Sequence, residues 1–307
     1  MRIAVCVITF RHLPGLARLL ASIAGLCFQK IAPEVTVRIV DNDPQGGARE
    51  QVEKLVPTFP FKLVYEIETQ RGISAARNRA VKAATHADFL AFVDDDEQVG
   101  PDWLEQLVGK LMESAADIVM GPVRPEFEKP VPDWIVQGGF FVKDLGKYGA
   151  RDQKYGSTAN ILIRRACLDN LGEPFADQFN LTGGADYLLL LRLKIMGAKI
   201  DWAPAARVVE YIPAARANGC WILKRRFRTG NSIALAERSL KLPSMMARPG
   251  KGVLRILQGV LLLPFSLLRG TAETVRTLGM IYYGCGNLSG FFGCPYRAYG
   301  PGKNDHD

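Results

Sequence analysis

The stretch Phe89-Leu90-Ala91-Phe92-Val93-Asp94-Asp95-Asp96-Glu97 is an apolar run that ends abruptly in four consecutive acids. Five β-compatible residues without polar alternation predict a strand buried on both faces, as in a parallel sheet covered by helices. The acids then sit at its carboxyl end, where open α/β sheets bind ligands. Asp94 and Asp96, two residues apart on an extended segment, point the same way. Two converging carboxylates suit a hard cation that prefers oxygen ligands, and such a cation could carry a diphosphate. The bland alternative is a solvated acidic turn before the helix that Pro101 begins, and for an isolated DxD that alternative is the commoner one.

The neighbouring segments repeat one pattern. Ile3 to Ile8 reads as a strand, followed by a helix from Pro14 whose Leu16, Leu19, Leu20, Ile23 and Leu26 share a face. Val35 to Val40 and Phe61 to Ile67 are further strands, with helices over Arg49 to Val56 and Ile73 to Ala84. Strands alternating with helices at this spacing predict an α/β fold with a mostly parallel, doubly wound sheet. No GxGxxG opens a helix after the first strand and no GxxxxGK[ST] occurs, which argues against a dinucleotide site and a P-loop. A sugar-phosphate nucleotidyltransferase would need a glycine-rich, lysine-bearing loop after the first strand, whereas Thr9 to Gly15 holds one glycine and no lysine. A nucleotide could still be held by side chains at the sheet edge. Thr9 and Asp41 offer hydrogen bonds to base or ribose, and Arg71 offers a guanidinium fork for base or phosphate.

Farther on, Trp103 to Leu111 predicts an amphipathic helix, Asp117 to Val123 a strand, and Pro122 to Phe141 an irregular passage of the kind that covers substrates. A strand over Gly156 to Ile163 and a helix from Arg164 follow. Gly183-Gly184-Ala185-Asp186 then opens a helix over Tyr187 to Met196. An acid at a helix N-terminus stabilises the dipole by about 0.3–1 kcal/mol, so Asp186 has a purely structural explanation. The glycine pair, however, permits close approach of a ligand, and a carboxylate can serve as the base that takes a sugar hydroxyl proton.

Taken together, Val7-Ile8-Thr9-Phe10-Arg11, Val40-Asp41-Asn42, Gly72 to Asn78, Phe92 to Glu97 with Trp103-Leu104, and Ala159 to Leu162 resemble the motifs of the inverting glycosyltransferases of family 2, which have the GT-A fold. The resemblance continues through Thr182 to Asp186, Trp202 to Ala206 and Arg225 to Ser232. Each motif is weak alone; their order and spacing carry the match. It implies that Thr9, Arg11, Asp41, Arg71 and Arg77 hold the nucleotide. It also implies that Asp94, Asp95 and Asp96 hold ribose and a divalent cation, Mn2+ or Mg2+, and that Asp186 is the base. Asn160, Gly183 and Gly184 then belong to the acceptor side, and Arg225 or Arg228 faces the leaving diphosphate. Glu210 lies near where relatives often place a metal-side histidine, as a distant metal ligand or a surface acid. One departure stands out: the family often has further acids where this chain has Ala185 and Leu188, leaving Asp186 as the carboxylate of that motif.

The formal charge of +8 is concentrated in one region: thirteen Lys/Arg against three acids lie between Arg207 and Arg276, so the remainder is net acidic. Apolar runs between these bases, Ile256 to Leu268 and Leu278 to Tyr283, favour an anionic membrane surface over nucleic acid as the partner. Thirteen residues span about 20 Å as a helix, short of a bilayer core of about 30 Å, and Pro264 is expected to interrupt them. An interfacial helical hairpin over residues 248–283 follows. A lid, or the interface of a homodimer, is the alternative.

The expected domains are a GT-A catalytic domain over 1–235 (nucleotide half 1–122, acceptor half 123–235), a basic helical extension over 236–300, and a disordered tail over 301–307. The six cysteines form no CxxC pair and read as reduced thiols. The expected protein moves a sugar from a UDP-linked donor to a lipid-linked saccharide on the cytoplasmic side of the bacterial inner membrane, as a peripheral or monotopic enzyme of polysaccharide synthesis. The rival is a catalytically degenerate subunit that grips a sugar nucleotide or scaffolds an assembly complex.

Overall fold

The computed structural model describes residues 1–142 and 157–298. The tail expected to be disordered, and Gly156, lie outside the described residues. The first half alternates as expected: β1 (Arg2–Thr9), α1 (Leu13–Ala24), β2 (Glu34–Asp41), α2 (Arg49–Leu55), β3 (Lys62–Ile67), α3 (Ile73–Ala83) and β4 (Phe89–Asp94). The apolar runs of β1 and β4 become buried strands, β2 is largely buried and β3 half-buried, and the helical stripe of α1 (Leu16, Leu19, Leu20, Ile23) packs in the same core. The chain continues with β5 (Glu97–Val99), α4 (Trp103–Ser114), β6 (Ile118–Met120), β7 (Val123–Phe127), α5 (Asp133–Gly138) and β8 (Asn160–Arg164). Then come α6 (Ala166–Asp169), α7 (Ala185–Ile195), β9 (Ile200–Trp202), β10 (Val208–Ile212), α8 (Gly219–Ser239), α9 (Arg248–Leu268) and α10 (Thr271–Phe291).

Seven strands form the central sheet in the order β3-β2-β1-β4-β8-β6-β9, and β5-β10-β7 form a small second one. The large sheet is parallel apart from β8, which runs against both β4 and β6. Two expectations change here. The single strand over Asp117 to Val123 is two strands, β6 and β7, broken at Gly121-Pro122. A methyl group on Gly121 would lie 2.4 Å from the Ala206 carbonyl oxygen, and Pro122 has no N–H to continue a ladder. The passage from Pro122 to Phe141 is not irregular throughout, since it contains β7 and α5.

By backbone contacts the described residues fall into two compact units. The first comprises 1–125, 157–180 and 189–211 and holds the large sheet. The second comprises 126–142, 181–188 and 212–298. Its small core joins Ile135, Phe141, Ile212, Ile222 and Val275, with Phe141 stacked on Trp221 at 5.4 Å. The division differs from the expected boundary at residue 235: α8 runs unbroken to Ser239 and belongs with α9 and α10. Glycines let these helices touch. A methyl on Gly286 would lie 2.1 Å from the Phe227 carbonyl oxygen, and one on Gly290 2.4 Å from that of Asn231.

The helix expected from Ile256 is longer than anticipated. α9 spans 21 residues and continues through Pro264, about 31 Å at 1.5 Å per residue, so the length argument against a crossing no longer holds. Residues Pro243–Leu268 are long and apolar enough to span a membrane by length and composition, with 17% of the apolar window buried. Its buried positions, Gly252, Gly259 and Ser266, recur every seven residues and are small. Leu254, Leu257, Leu261, Phe265 and Leu268 lie exposed on the other faces.

Candidate active site

Parallel pairing sets Thr9 opposite Asp41 and Ile8 opposite Asp94, so the ends of β1, β2 and β4 share one edge. The acids after β4 form a turn into β5, and they are not equivalent. Asp95 is turned inward: it is buried, its carboxylate accepts the Thr9 hydroxyl at 2.6 Å, and His12 Nδ1 lies 3.7 Å away. Asp94 and Asp96 remain half-buried. Asp94 Oδ1 accepts from Arg77 at 3.0 Å, and the Asp94 N–H donates to Glu97 Oε2 at 2.8 Å. The Asp96 carbonyl accepts the Tyr211 N–H at 3.0 Å, and the Arg18 guanidinium lies 4.6 Å over the Tyr211 ring. The turn is therefore held from β1, α3 and β10 while its alternate acids keep partial exposure.

Hard oxygen donors of this kind fit a divalent cation that takes its remaining ligands from phosphate and water. Asp94 and Asp96 would hold it. Among the described residues no group of three or more His, Cys, Asp or Glu has metal-binding geometry. Glu210 lies in β10 opposite Glu97, and both are buried.

Beside this turn, Asp41 is buried and accepts the N–H groups of Asp43 and Ala48, each at 2.9 Å, and the Tyr65 hydroxyl at 2.7 Å. Burial and the Asp41 carboxylate together push the Tyr65 phenol up. Arg11, with φ 53°, donates to Asp43 at 2.8 Å. That hydrogen bond holds the Asp43 carboxyl below its usual range despite burial. The Arg71 guanidinium stacks 3.1 Å over the Phe10 ring centroid. Asn42 staples the Arg71 loop, donating to the carbonyls of Glu68 and Gln70 at 3.0 and 2.7 Å and accepting the Gly72 N–H at 2.8 Å. Gly72 has φ 141°, and a methyl there would lie 2.5 Å from Asn180. Asn180 in turn accepts the Ala75 N–H at 2.9 Å at the start of α3. Asn42 stands in the sequence only as the end of the Val40-Asp41-Asn42 motif, with no role of its own, and Asn180 gives no signal there, since a lone asparagine in a loop carries no periodicity.

Asn160, expected on the acceptor side, is buried and its amide is engaged within the fold. It donates to the carbonyls of Pro122 and Ala206 at 3.0 and 2.7 Å and accepts the Trp103 indole N–H at 2.8 Å. These three bonds tie the Gly121-Pro122 break between β6 and β7 to α4.

The second unit carries the remaining candidates. Gly183 and Gly184 adopt φ 74° and 102°, a region open to glycine, and deliver the chain into α7. Asp186 lies half-buried in its first turn, between the buried Ala185 and the phenol of Tyr187. On α8, the Arg225 guanidinium lies 5.2 Å over Trp221 and 5.9 Å over Phe141, and Arg228 is half-buried.

A mostly parallel sheet with one reversed strand, and an acidic turn after its fourth strand, defines a GT-A type α/β protein. Solved structures agree on the fold. A mannosyltransferase from Pyrobaculum calidifontis, solved with GDP-Man and Mn2+, superposes with a TM-score of 0.64 at 18% identity, over 95% of this chain and 87% of that one. Residues 1–349 of S. aureus TarS, solved with UDP, superpose with a TM-score of 0.55 at 18% identity, over 97% and 93%. The model of glycosyl transferase family 2 matches residues 4–172. The succinoglycan biosynthesis protein ExoM of Rhizobium meliloti is 36% identical over 241 residues, 78% of this chain and 77% of its own. Glycosyltransferase AglE of Haloferax volcanii is 25% identical over 74% and 71% of the two chains. The chain belongs to glycosyl transferase family 2.

Proposed function

We propose that this glycosyltransferase moves a sugar, with inversion, from a UDP-linked donor to a lipid-linked saccharide acceptor in polysaccharide synthesis. The observation that carries the reading is the acidic turn, where Asp95 is anchored inward by Thr9 while Asp94 and Asp96 keep partial exposure. The relatives support the choice of partners: ExoM is named for succinoglycan biosynthesis, and the two fold relatives were solved with UDP and with GDP-Man and Mn2+. On this reading Thr9, Arg11, Asp41, Arg71 and Arg77 hold the nucleotide, and Asp94 and Asp96 hold a divalent cation, Mn2+ or Mg2+. When bound, the cation masks diphosphate charge as the bond to the sugar breaks. Asp186 takes the acceptor hydroxyl proton, the alkoxide attacks the anomeric carbon, and the nucleoside diphosphate leaves with the bonding pair. An arginine of α8, Arg225 or Arg228, steadies the departing charge.

The exposed apolar faces of α9, flanked by the exposed Lys251, Arg255 and Arg269, support a seat on an anionic bilayer surface. That fits an acceptor presented from the membrane and a site on its cytoplasmic side. The buried Ala185 and Leu188, where the family often carries acids, favour a second reading, a sugar-nucleotide-binding subunit without transfer activity. The test is a thermal-shift screen of UDP-glucose, UDP-galactose, UDP-N-acetylglucosamine and GDP-mannose with and without manganese, followed by assay for released nucleotide. A manganese-dependent shift with release supports transfer. A shift without release supports the binding subunit, and no shift for any nucleotide overturns both.

A further inference from the structure

Glu237, near the end of α8, and Arg248, which opens α9, form an ion pair with side chains 6% and 10% exposed. The pairing is bidentate: Arg248 Nε donates to Glu237 Oε2 at 2.7 Å, and a terminal guanidinium nitrogen donates to Oε1. The same carboxylate also accepts the Ser244 hydroxyl at 3.1 Å and the Tyr187 phenol at 3.3 Å. Tyr187 follows Asp186 in the first turn of α7. That turn is reached through Gly183 and Gly184, both at positive φ, whose backbone imposes little direction of its own. The bearing of the turn therefore depends on what its side chains grip. Ala185 and Leu188 contribute buried apolar packing, which is non-directional, whereas the phenol of Tyr187 makes a directional bond.

Neutralising Arg248 alone would leave a lone pair on each carboxylate oxygen for any donor or for solvent. Instead the carboxylate joins three segments at one point: the turn beside Asp186, the end of α8, and the start of the apolar helix α9. We infer that Glu237 is a positioning residue for the catalytic turn, holding Tyr187 so that Asp186 keeps its bearing and, through Arg248, tying that turn to α9. The inference rests on the proposed role of Asp186 and deepens it. A base displaced by about 1 Å loses on the order of a hundredfold in rate, so the bond acts on turnover and leaves donor affinity alone.

The experiment compares wild type, Tyr187→Phe, Glu237→Leu and the double variant, all full length. The probe is whichever of the four nucleotide sugars gives the largest thermal shift. Tyr187→Phe keeps the Glu237–Arg248 pair and therefore the fold. Nucleotide release, donor KM, and amide exchange over residues 185–188 are measured. The inference expects kcat to fall about tenfold or more in Tyr187→Phe with donor KM unchanged, and exchange at Asp186 to Leu188 to rise. It also expects the double variant to be no slower than Glu237→Leu alone, because leucine already leaves the phenol without its acceptor. Unchanged kcat and exchange in Tyr187→Phe, or losses that multiply in the double variant, would overturn it. Asp186→Asn run alongside separates the two ideas. Full activity there removes the base, and exchange alone then decides whether Glu237 holds the turn.

Discussion

Arg77, 3% exposed on α3, donates to Asp94 at 3.0 Å and so fixes the first acid of the turn from the helix that follows Gly72. A guanidinium held this deep is there to aim a carboxylate. Arg77→Met removes a charge-assisted bond of about 1.5–3 kcal/mol and frees Asp94 to rotate. The denaturant midpoint is expected to fall accordingly, and UDP affinity in manganese to drop at least about tenfold, as read by calorimetry. UDP affinity equal to wild type would reduce Arg77 to a structural role.

Asp186→Asn keeps shape and removes the proton acceptor. Turnover is expected to fall by about 10² to 10⁴ with donor affinity intact, measured as nucleotide release under saturating donor. Near-normal turnover would remove Asp186 from the chemistry.

Acid should loosen the junction of α8 and α9 at Glu237. Burial alone raises the Glu237 carboxyl, but hydrogen bonds and charge from Arg248, with the hydroxyls of Ser244 and Tyr187, outweigh it and hold the group below its ordinary range. A carboxyl depressed in the folded state stabilises the fold above its unfolded value, about 4.3, and that stabilisation is lost as the pH falls through the folded value. The thermal midpoint is expected to be flat above about pH 5 and to decline below the unfolded value, with a shallower decline in Glu237→Gln. Identical acid profiles would mean that the pair adds no net stability.

Leu261 and Phe265 on α9 are 71% and 64% exposed, so charges there should leave the fold intact. Burying each in lipid contributes about 1.5–3 kcal/mol. Leu261→Asp with Phe265→Asp is expected to lower sedimentation with phosphatidylglycerol vesicles at least about tenfold, while the circular dichroism spectrum stays unchanged. Equal sedimentation of variant and wild type would place the membrane contact elsewhere.

β1 and β4 were readable because each is buried on both faces and so reads as an unbroken apolar run, whereas β2 and β3 showed through their β-branched and aromatic residues. β5 was not, since it begins at Glu97 inside the acidic stretch, and its extended state comes from pairing with β10 rather than from local preference. Short strands such as β9 likewise exist because β6 lies beside them. The sequence suggested that Pro264 would break the last apolar run. In the fold the neighbouring α10 gives α9 a continuous seam along Gly252, Gly259 and Ser266, and the helix persists past the missing N–H. The acidic turn, the nucleotide-side residues and Asp186 could be nominated from residue types and order. The bond from Glu237 to Tyr187 could not, because it links residues fifty positions apart that share no motif.

Because Gly286 and Gly290 bring the backbones of α10 and α8 into direct touch, the two helices have no cushion of side chains to absorb a tilt. A push on either is passed to the other undiminished, so the pair behaves as a single stiff plate. Any alanine at these glycines would wedge that plate apart instead of merely filling a gap.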